Sequence, residues 1–324
     1  MKLNLSLVML IVFAFAGSLL AGRVWLPPST LLSPPDSLAG LIIHDIRLPR
    51  TVLALLTGSV LGLAGAVLQG FTRNPLAEPA LLGVSGGAAL GAVIAIYFGL
   101  AALSPVTGPM LGIVGGLCAC ALTFALGQGS KGGGTVALVL AGAAVSSLMA
   151  AGIALALNFA PNPYAAYEIM SWLLGSLADK SWTQVLLVLP FVLAGGGLLA
   201  VTGRALDALS LGEVQAQSLG VHPVRLAALV VGGTALSVGA ITSVTGAIGF
   251  IGLVAPHLVR PFVGHSPRRV LLPAALAGAL LLLCADIAAR LVHTNPELRL
   301  GVFTSLLGTP FFFWLVVRIR KVAP

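Results

Sequence analysis

Charge is the scarcest property of this 324-residue chain, because only 8% of its residues are Asp, Glu, Lys or Arg. A soluble domain of ordinary composition carries roughly a quarter. Hydrophobic residues make up 58% of the chain, and the mean hydropathy is +1.07. Lipid must therefore be the main solvent of this protein, and little sequence is left over for a soluble core.

Clusters of metal-ligating residues and stripes of basic residues are also missing. The three cysteines lie inside apolar runs, and neither they nor His257 and His265 have a second ligand at usable spacing, so we predict no metal site. The net charge of +8 comes from basic residues scattered over loops, without interleaved aromatic side chains. This pattern excludes nucleic acid as a partner.

Catalytic motifs are lacking too. A phosphate-binding loop needs Gly-x-x-x-x-Gly-Lys-Ser/Thr. The stretch from Gly175 to Ser181 comes closest, but Asp179 stands where the second glycine is required. We predict that the chain is not an enzyme and holds no cofactor, so uphill transport would draw on a partner or an ion gradient.

Apolar runs of helix length dominate what is present. They lack strict alternation, and backbone groups in lipid need internal partners, so the runs predict membrane-spanning helices. We predict an all-α polytopic membrane protein with one transmembrane domain over residues 1–324, and a first span that is retained. Nine spans are the alternative, because the boundary near Gly246 is soft. The ten predicted spans are about 4–26, 51–70, 80–100, 106–127, 135–158, 183–203, 224–246, 248–263, 270–293 and 302–319.

The distribution of basic residues predicts the orientation. With the N-terminus inside, 11 of the 17 Lys and Arg residues fall on the inner side and 6 on the outer side. The positive-inside rule then places both termini in the cytoplasm. The stretch from Pro161 to Lys180 is rich in Tyr and Trp, which favour the membrane interface, and predicts a short surface or re-entrant helix.

Glycines recur at spacing four, which lets helix backbones approach closely in lipid. We predict tight packing within one subunit, with a dimer face or a pore lining as the alternative. The spaced glycines are Gly83, Gly87 and Gly91, the pair Gly58 and Gly62, and the pair Gly112 and Gly116.

One polar loop, about 206–222, is the longest on the predicted cytoplasmic side. Ser210 and Glu213 have capping-box spacing, and Gly220 is a plausible helix stop, so the loop predicts a short amphipathic helix. This helix would be either a docking surface for a soluble partner or a solvated connector.

Arginines on the predicted outer side run against the orientation bias. Arg47, Arg50 and Arg290 could anchor to lipid headgroups or dock an acidic patch on an external partner. Asp286 precedes Arg290 by four residues, which predicts an ion pair within one helix.

Five stretches together carry a family resemblance. They are residues 47–51 (RLPRT), 74–84 (NPLAEP, then LGV), 211–221 (LGE to LGV), 246–260 (GAIGFIGLVAPHLVR) and 307–310 (LGTP). In these stretches and their order, the chain resembles the permease subunits of type II ABC importers for iron–siderophore, haem and cobalamin.

The resemblance implies a ten-helix permease that pairs with a second copy, most simply as a homodimer, with the substrate path between the copies. A periplasmic binding protein would meet Arg47, Arg50 and Arg290, and the cytoplasmic gate would lie near Asn74, Leu76 and Thr135. A separate ATPase dimer, holding ATP and magnesium, would dock on Leu211, Gly212, Glu213, Gln215, Ala216, Leu219, Gly220, Arg260 and Arg268.

The implied function is ATP-driven import across the bacterial inner membrane by alternating access. Family frequency puts iron–siderophore first among the chelates, with haem and cobalamin as alternatives. A membrane scaffold or receptor without transport is a competing class, but it would not explain predicted docking loops on both sides of the membrane. An ion-coupled secondary transporter is the remaining class, and the small number of membrane-embedded charges argues against it.

Overall fold

Helices make up nearly all of the regular structure. The computed structural model describes residues 2–22, 24–128, 134–292 and 297–322, and these residues contain no strand. Arg23 and Lys131, both counted in the orientation argument, lie outside the described residues. The helices are α1 (Lys2–Leu20), α2 (Leu38–Leu41), α3 (Leu48–Thr72), α4 (Val84–Tyr97), α5 (Thr107–Gln128), α6 (Gly134–Asn158), α7 (Pro163–Leu173), α8 (Trp182–Ala200), α9 (Gly203–Leu209), α10 (Glu213–Ser218), α11 (Pro223–Thr245), α12 (Ile251–Val263), α13 (Pro267–Leu291) and α14 (Leu300–Val322).

Seven helical segments of the described chain are long and apolar enough to cross a membrane. They contain α1, α3, α5, α6, α8, α11 and α13, and the shorter apolar helices are α4, α12 and α14. Each of the ten predicted spans coincides with one of these helices, so the all-α polytopic fold is confirmed. A non-helical break over residues 246–250 separates α11 from α12. This is the boundary near Gly246 because of which nine spans were the alternative to ten.

The first two predicted spans have different limits in the structure. The first helix ends at Leu20, six residues before the predicted limit of 26. The second begins earlier, because Ser37 caps α2 by accepting a hydrogen bond from Gly40 N–H at 3.0 Å, and a π-helical turn, Ile42–Arg47, joins α2 to α3. Pro49 does not interrupt this helix, since proline is tolerated in the first turn. The Arg47 to Arg50 segment, which precedes the predicted second span, is therefore helical.

The re-entrant or surface helix between the fifth and sixth spans is present as α7. Asn162 caps it by accepting a hydrogen bond from Ala165 N–H at 2.9 Å, and Pro163 follows as the first helical residue. Tyr164 and Tyr167 on this helix are exposed.

The regularly spaced glycines let helices of the subunit pack closely against each other, as predicted. The pair Gly58 and Gly62 lies against α13, where an added methyl group would overlap the carbonyl oxygens of Gly278 and Ala274. In the same way α4 lies on α5 at Gly87 and Gly91. One position differs from the prediction. Gly83 is not on the helical face but precedes α4 with φ +76°, a conformation that favours glycine.

Substituting Gly58 should show how much the close approach of α3 and α13 contributes to stability. We expect Gly58→Ala to lower the free energy of unfolding by about 1–3 kcal/mol, because the methyl group must push α3 away from α13. Gly197→Ala on α8 is the matched control. Nothing lies within 4 Å of a methyl group there, so no loss is expected. Equal stability of the two variants in a denaturation series would contradict the packing role.

The turn after α3 folds back into the bundle. Ala77 and Pro79 are buried, and the carbonyl of Leu82 accepts a hydrogen bond from Thr123 Oγ1 at 3.0 Å. Thr123 lies five residues before α5 ends at Gln128, so this contact is about 7 Å inside the end of the helix. The later part of the turn is thus packed in the interior, while Arg73 and Asn74 are exposed.

Candidate functional site

The helix predicted within 206–222 exists as α10, and a glycine stands on each side of it. Gly212 has φ +115° and Gly220 has φ +85°, values that residues with side chains rarely adopt. The predicted stop at Gly220 is confirmed. The predicted capping box is wrong, because the Ser210 hydroxyl donates to the carbonyl of Asp207 at 2.6 Å. Helix α10 begins after Gly212 instead.

Apolar side chains point outward around α10. Leu211 is 63% exposed, Val214 73% and Leu219 64%, while Ala216 is the residue that α10 buries. This surface belongs to the polar end of the bundle that carries residues 203–222, called here the α10 end. Exposed apolar side chains grouped in this way mark a surface that contacts either another protein or the membrane.

A cavity of about 320 Å³ lies beneath α10. The Glu213 carboxylate stands at its edge and accepts hydrogen bonds from Thr135 Oγ1 at 3.4 Å and Arg73 Nη2 at 3.5 Å. Arg73 follows α3 and Thr135 lies in the first turn of α6, so one carboxylate joins α10 to two other helices. The walls of the cavity include Phe71, Gln128, Thr135, Leu138, Gln217 and Ala227.

The residues predicted for a gate fall close to this carboxylate. Asn74 directly follows Arg73, and its side-chain oxygen accepts a hydrogen bond from Leu76 N–H at 2.9 Å, which holds the turn. Thr135 reaches the same Glu213 from α6. The structure therefore links both predicted gate segments to α10, and their gating role stays a prediction.

Two further residues predicted for docking have internal partners near the α10 end. Arg260 Nη2 donates to Gln69 Oε1 at 2.7 Å, and Gln69 is buried in the α3–α12 contact. The backbone N–H of Arg268 donates to Asp207 Oδ1 at 3.0 Å. These bonds join α12 to α3 and α13 to α9.

The predicted outer arginines form a buried cluster at the opposite end of the bundle. The Arg47 guanidinium donates to the carbonyls of Leu19 at 2.9 Å and Leu20 at 2.7 Å. The Arg290 guanidinium donates to the carbonyls of Ser18 and Ala21, each at 2.9 Å. The last carbonyls of a helix lack partners and carry partial negative charge, so the two arginines cap α1.

The Asp286 carboxylate neutralises part of the positive charge of the arginine cluster. Its side chain is 0% exposed, and its oxygens lie 2.8 Å from Arg50 Nη2 and 2.8 Å from Arg290 Nη2. The predicted ion pair within α13 is confirmed. The link to Arg50, which also pairs with Glu297, joins residues 236 positions apart and was not predicted.

The burial of Arg47 and Arg290 affects the prediction that they dock an external partner. Arg47 is 9% exposed and Arg290 is 6% exposed, so in this conformation their charges face inward. Contact with a binding protein stays a prediction, and it requires these side chains to become accessible.

Known proteins match the chain over nearly its full length. The family model described as the FecCD transport family matches residues 9–318. The vitamin B12 import system permease protein BtuC of Klebsiella pneumoniae is 39% identical over 317 residues, 97% of this chain and 93% of that protein. The hemin transport system permease protein HmuU of Yersinia pestis is 37% identical over 328 residues, 99% of this chain and 96% of that protein. A solved structure described as an inward-facing metal-chelate-type ABC transporter is 32% identical, with a TM-score of 0.88 and coverage of 98% of this chain and 99% of that one.

Proposed function

Because the chain belongs to the FecCD transport family, as the membrane permease subunit of a type II ABC importer, we propose that it imports a preformed metal chelate by alternating access. The permease is not itself an enzyme, and the ATPase of such an importer is a separate chain.

The exposed apolar surface of α10 carries the proposal. An ATPase dimer docks there and covers Leu211, Val214 and Leu219. The α10 end then faces the cytoplasm, both termini lie on that side, and the membrane is the bacterial plasma membrane. The ATPase binds ATP and magnesium, while the permease holds neither.

Movement of α10 is transmitted inward in this account. The two flanking glycines let α10 pivot, and the cavity beneath it leaves room for the movement. Glu213 then pulls on Arg73 and Thr135, next to the gate residues Asn74 and Leu76. ATP binding and hydrolysis would in this way open one side of the path while the other side closes.

The substrate path lies between two copies of the chain. Helices α7 and α14 border an open cavity of about 660 Å³, lined by residues such as Leu174, Ser305 and Thr309. Exposed side chains on both helices, among them Tyr167 and Leu306, are available for a second copy. A homodimer would enclose this cavity, and a periplasmic binding protein would deliver the chelate at the opposite end.

The named relatives guide the choice of chelate. One is a vitamin B12 permease and another a hemin permease, and both ligands are metal-centred tetrapyrrole rings. We therefore place cobalamin and haem ahead of the iron–siderophore that family frequency favoured.

ATP hydrolysis by the assembled complex distinguishes these ligands. The permease, its ATPase and its binding protein are reconstituted, and the binding protein is loaded with cobalamin, haem or a ferric siderophore in turn. We expect one tetrapyrrole to stimulate hydrolysis several-fold above the unloaded binding protein. Stimulation by the siderophore alone would overturn the choice of chelate but leave the importer intact.

A further inference from the structure

A second cavity at the α10 end, of about 270 Å³, is lined by basic side chains. Arg73 follows α3, Arg260 lies in the last turn of α12, and His265 lies in the turn that joins α12 to α13. No Asp or Glu is among the lining residues in the described part of the chain. A cavity with two permanent positive charges and no lining carboxylate favours an anionic ligand.

The guanidinium of Arg260 is held in place from inside the bundle. Its Nη2 donates to Gln69 Oε1 at 2.7 Å, and the buried Gln69 donates in turn to the carbonyl of Leu253 at 3.3 Å. Among the described residues no carboxylate forms an ion pair with Arg260. Because a guanidinium has five N–H donors, Arg260 can still bind two oxygens of one oxyanion.

The carboxylates near this cavity already have partners. Glu213 lies 3.5 Å from Arg73 Nη2, but both side chains are nearly half exposed, so this pair offsets the charge of Arg73 only weakly. Asp207 accepts hydrogen bonds from Ser266 Oγ at 2.9 Å and from the backbone N–H of Arg268 at 3.0 Å. The cavity therefore keeps a net positive charge.

Exposed apolar side chains place the cavity close to lipid. Phe262 on α12 is 73% exposed and lies three residues before His265, and Leu272 on α13 is 57% exposed and lies seven residues after it. Large apolar side chains on both sides of this turn fit the boundary between hydrocarbon and headgroups. The phosphate groups of a bilayer lie at that depth.

We propose that this cavity binds the phosphate headgroup of an anionic phospholipid in the leaflet at the α10 end. The phosphate lies against Arg260, with Arg73 and His265 at the rim, and the acyl chains lie beside the exposed apolar side chains of α12 and α13. Basic pockets between transmembrane helices are suited to such headgroups. The site goes beyond the proposed function, because it needs neither the chelate nor the ATPase.

A carboxylate of the docked ATPase is the competing occupant, because the family resemblance places Arg260 at the ATPase surface. Free phosphate is another source of the same ligand chemistry. The position of Phe262 and Leu272 favours the lipid, since side chains of this kind suit acyl chains and a solvated anion needs none.

Native mass spectrometry of the full-length permease in detergent tests the site with phosphatidylglycerol and phosphatidylcholine as probes. We expect phosphatidylglycerol to bind roughly tenfold more tightly, because only its headgroup carries a net negative charge. We also expect it to stay bound in a large excess of inorganic phosphate. Equal affinity for the two lipids would overturn the proposal. Displacement by inorganic phosphate would make this a site for a free anion and overturn the lipid as its occupant.

Three substitutions locate the bound lipid. Arg260→Gln should weaken phosphatidylglycerol binding by roughly tenfold, and Arg73→Gln by roughly threefold, since each removes one positive charge from the cavity. Arg225→Gln is the control, because Arg225 is an exposed arginine at the same end that does not line the cavity. Equal losses in all three variants would show attraction to general positive charge and overturn the site. Arg73 is exposed, so unchanged affinity in Arg73→Gln would overturn it even where Arg260→Gln failed to fold.

Adding the ATPase to the lipid-bound permease separates lipid from protein as the occupant. We expect the complex to retain the phosphatidylglycerol. Release of the lipid as the ATPase binds would show that the ATPase fills the cavity, and it would overturn the lipid as the occupant in the assembled transporter.

Discussion

Replacing Asp286 with asparagine is expected to destabilise the permease by about 3 kcal/mol or more, because removing one member of a buried ion pair leaves uncompensated charge. Asp286 is 0% exposed and bonds Arg50 and Arg290. In the variant Arg290 would keep its bonds to the carbonyls at the end of α1 but would lose the negative charge of Asp286, with which it forms an ion pair. The free energy of unfolding, measured by denaturant titration in mixed micelles, checks this.

Asp36→Asn provides the matched control for that experiment. Asp36 is an exposed aspartate in the segment between α1 and α2, and surface substitutions of this kind usually change stability by less than about 0.5 kcal/mol. A loss of similar size in both variants, or none in Asp286→Asn, would mean that the arginine cluster does not depend on its buried carboxylate.

Placing a charge on α10, the proposed docking surface, should weaken coupling to the ATPase. We expect Val214→Asp to weaken binding of the ATPase by roughly 30-fold or more, since a central apolar residue of an interface is worth about 2 kcal/mol or more. Val214 is 73% exposed, so the fold should tolerate the change. Titration of the ATPase onto the permease in nanodiscs measures the affinity directly.

Val24→Asp is the control for the docking surface. Val24 is 70% exposed and lies at the opposite end of the bundle, so the same substitution there should leave ATPase affinity unchanged. Unaltered binding by Val214→Asp would show that the partner docks elsewhere and that α10 is a solvated connector.

The features that follow from local sequence were predictable. Hydropathy identified the ten apolar helices because each needs only its own residues to satisfy its backbone in lipid. The Asp286–Arg290 pair follows from helix periodicity. The stop at Gly220 follows from the rarity of positive φ in other residues.

Long-range contacts were not predictable from one sequence. The arginines at 47 and 290 resembled surface charges, because nothing local shows that the end of α1 presents its free carbonyls to them. Arg50 and Asp286 lie 236 positions apart in the chain. Pro75 and Pro79 mark a break after α3, but they do not indicate that the turn folds inward.

The site at the α10 end was predicted only in part. The short helix and its glycine stop were found by their spacing, but the capping box failed because Ser210 bonds backward to Asp207.

Uptake into proteoliposomes tests the central claim most directly. Vesicles contain the permease and its ATPase, the binding protein is outside, and cobalamin, haem and a ferric siderophore are offered in turn with or without internal ATP. The account predicts accumulation of a metal chelate that requires ATP and survives an ionophore. Accumulation that ignores ATP and collapses with the ionophore would contradict it and make the chain an ion-coupled carrier.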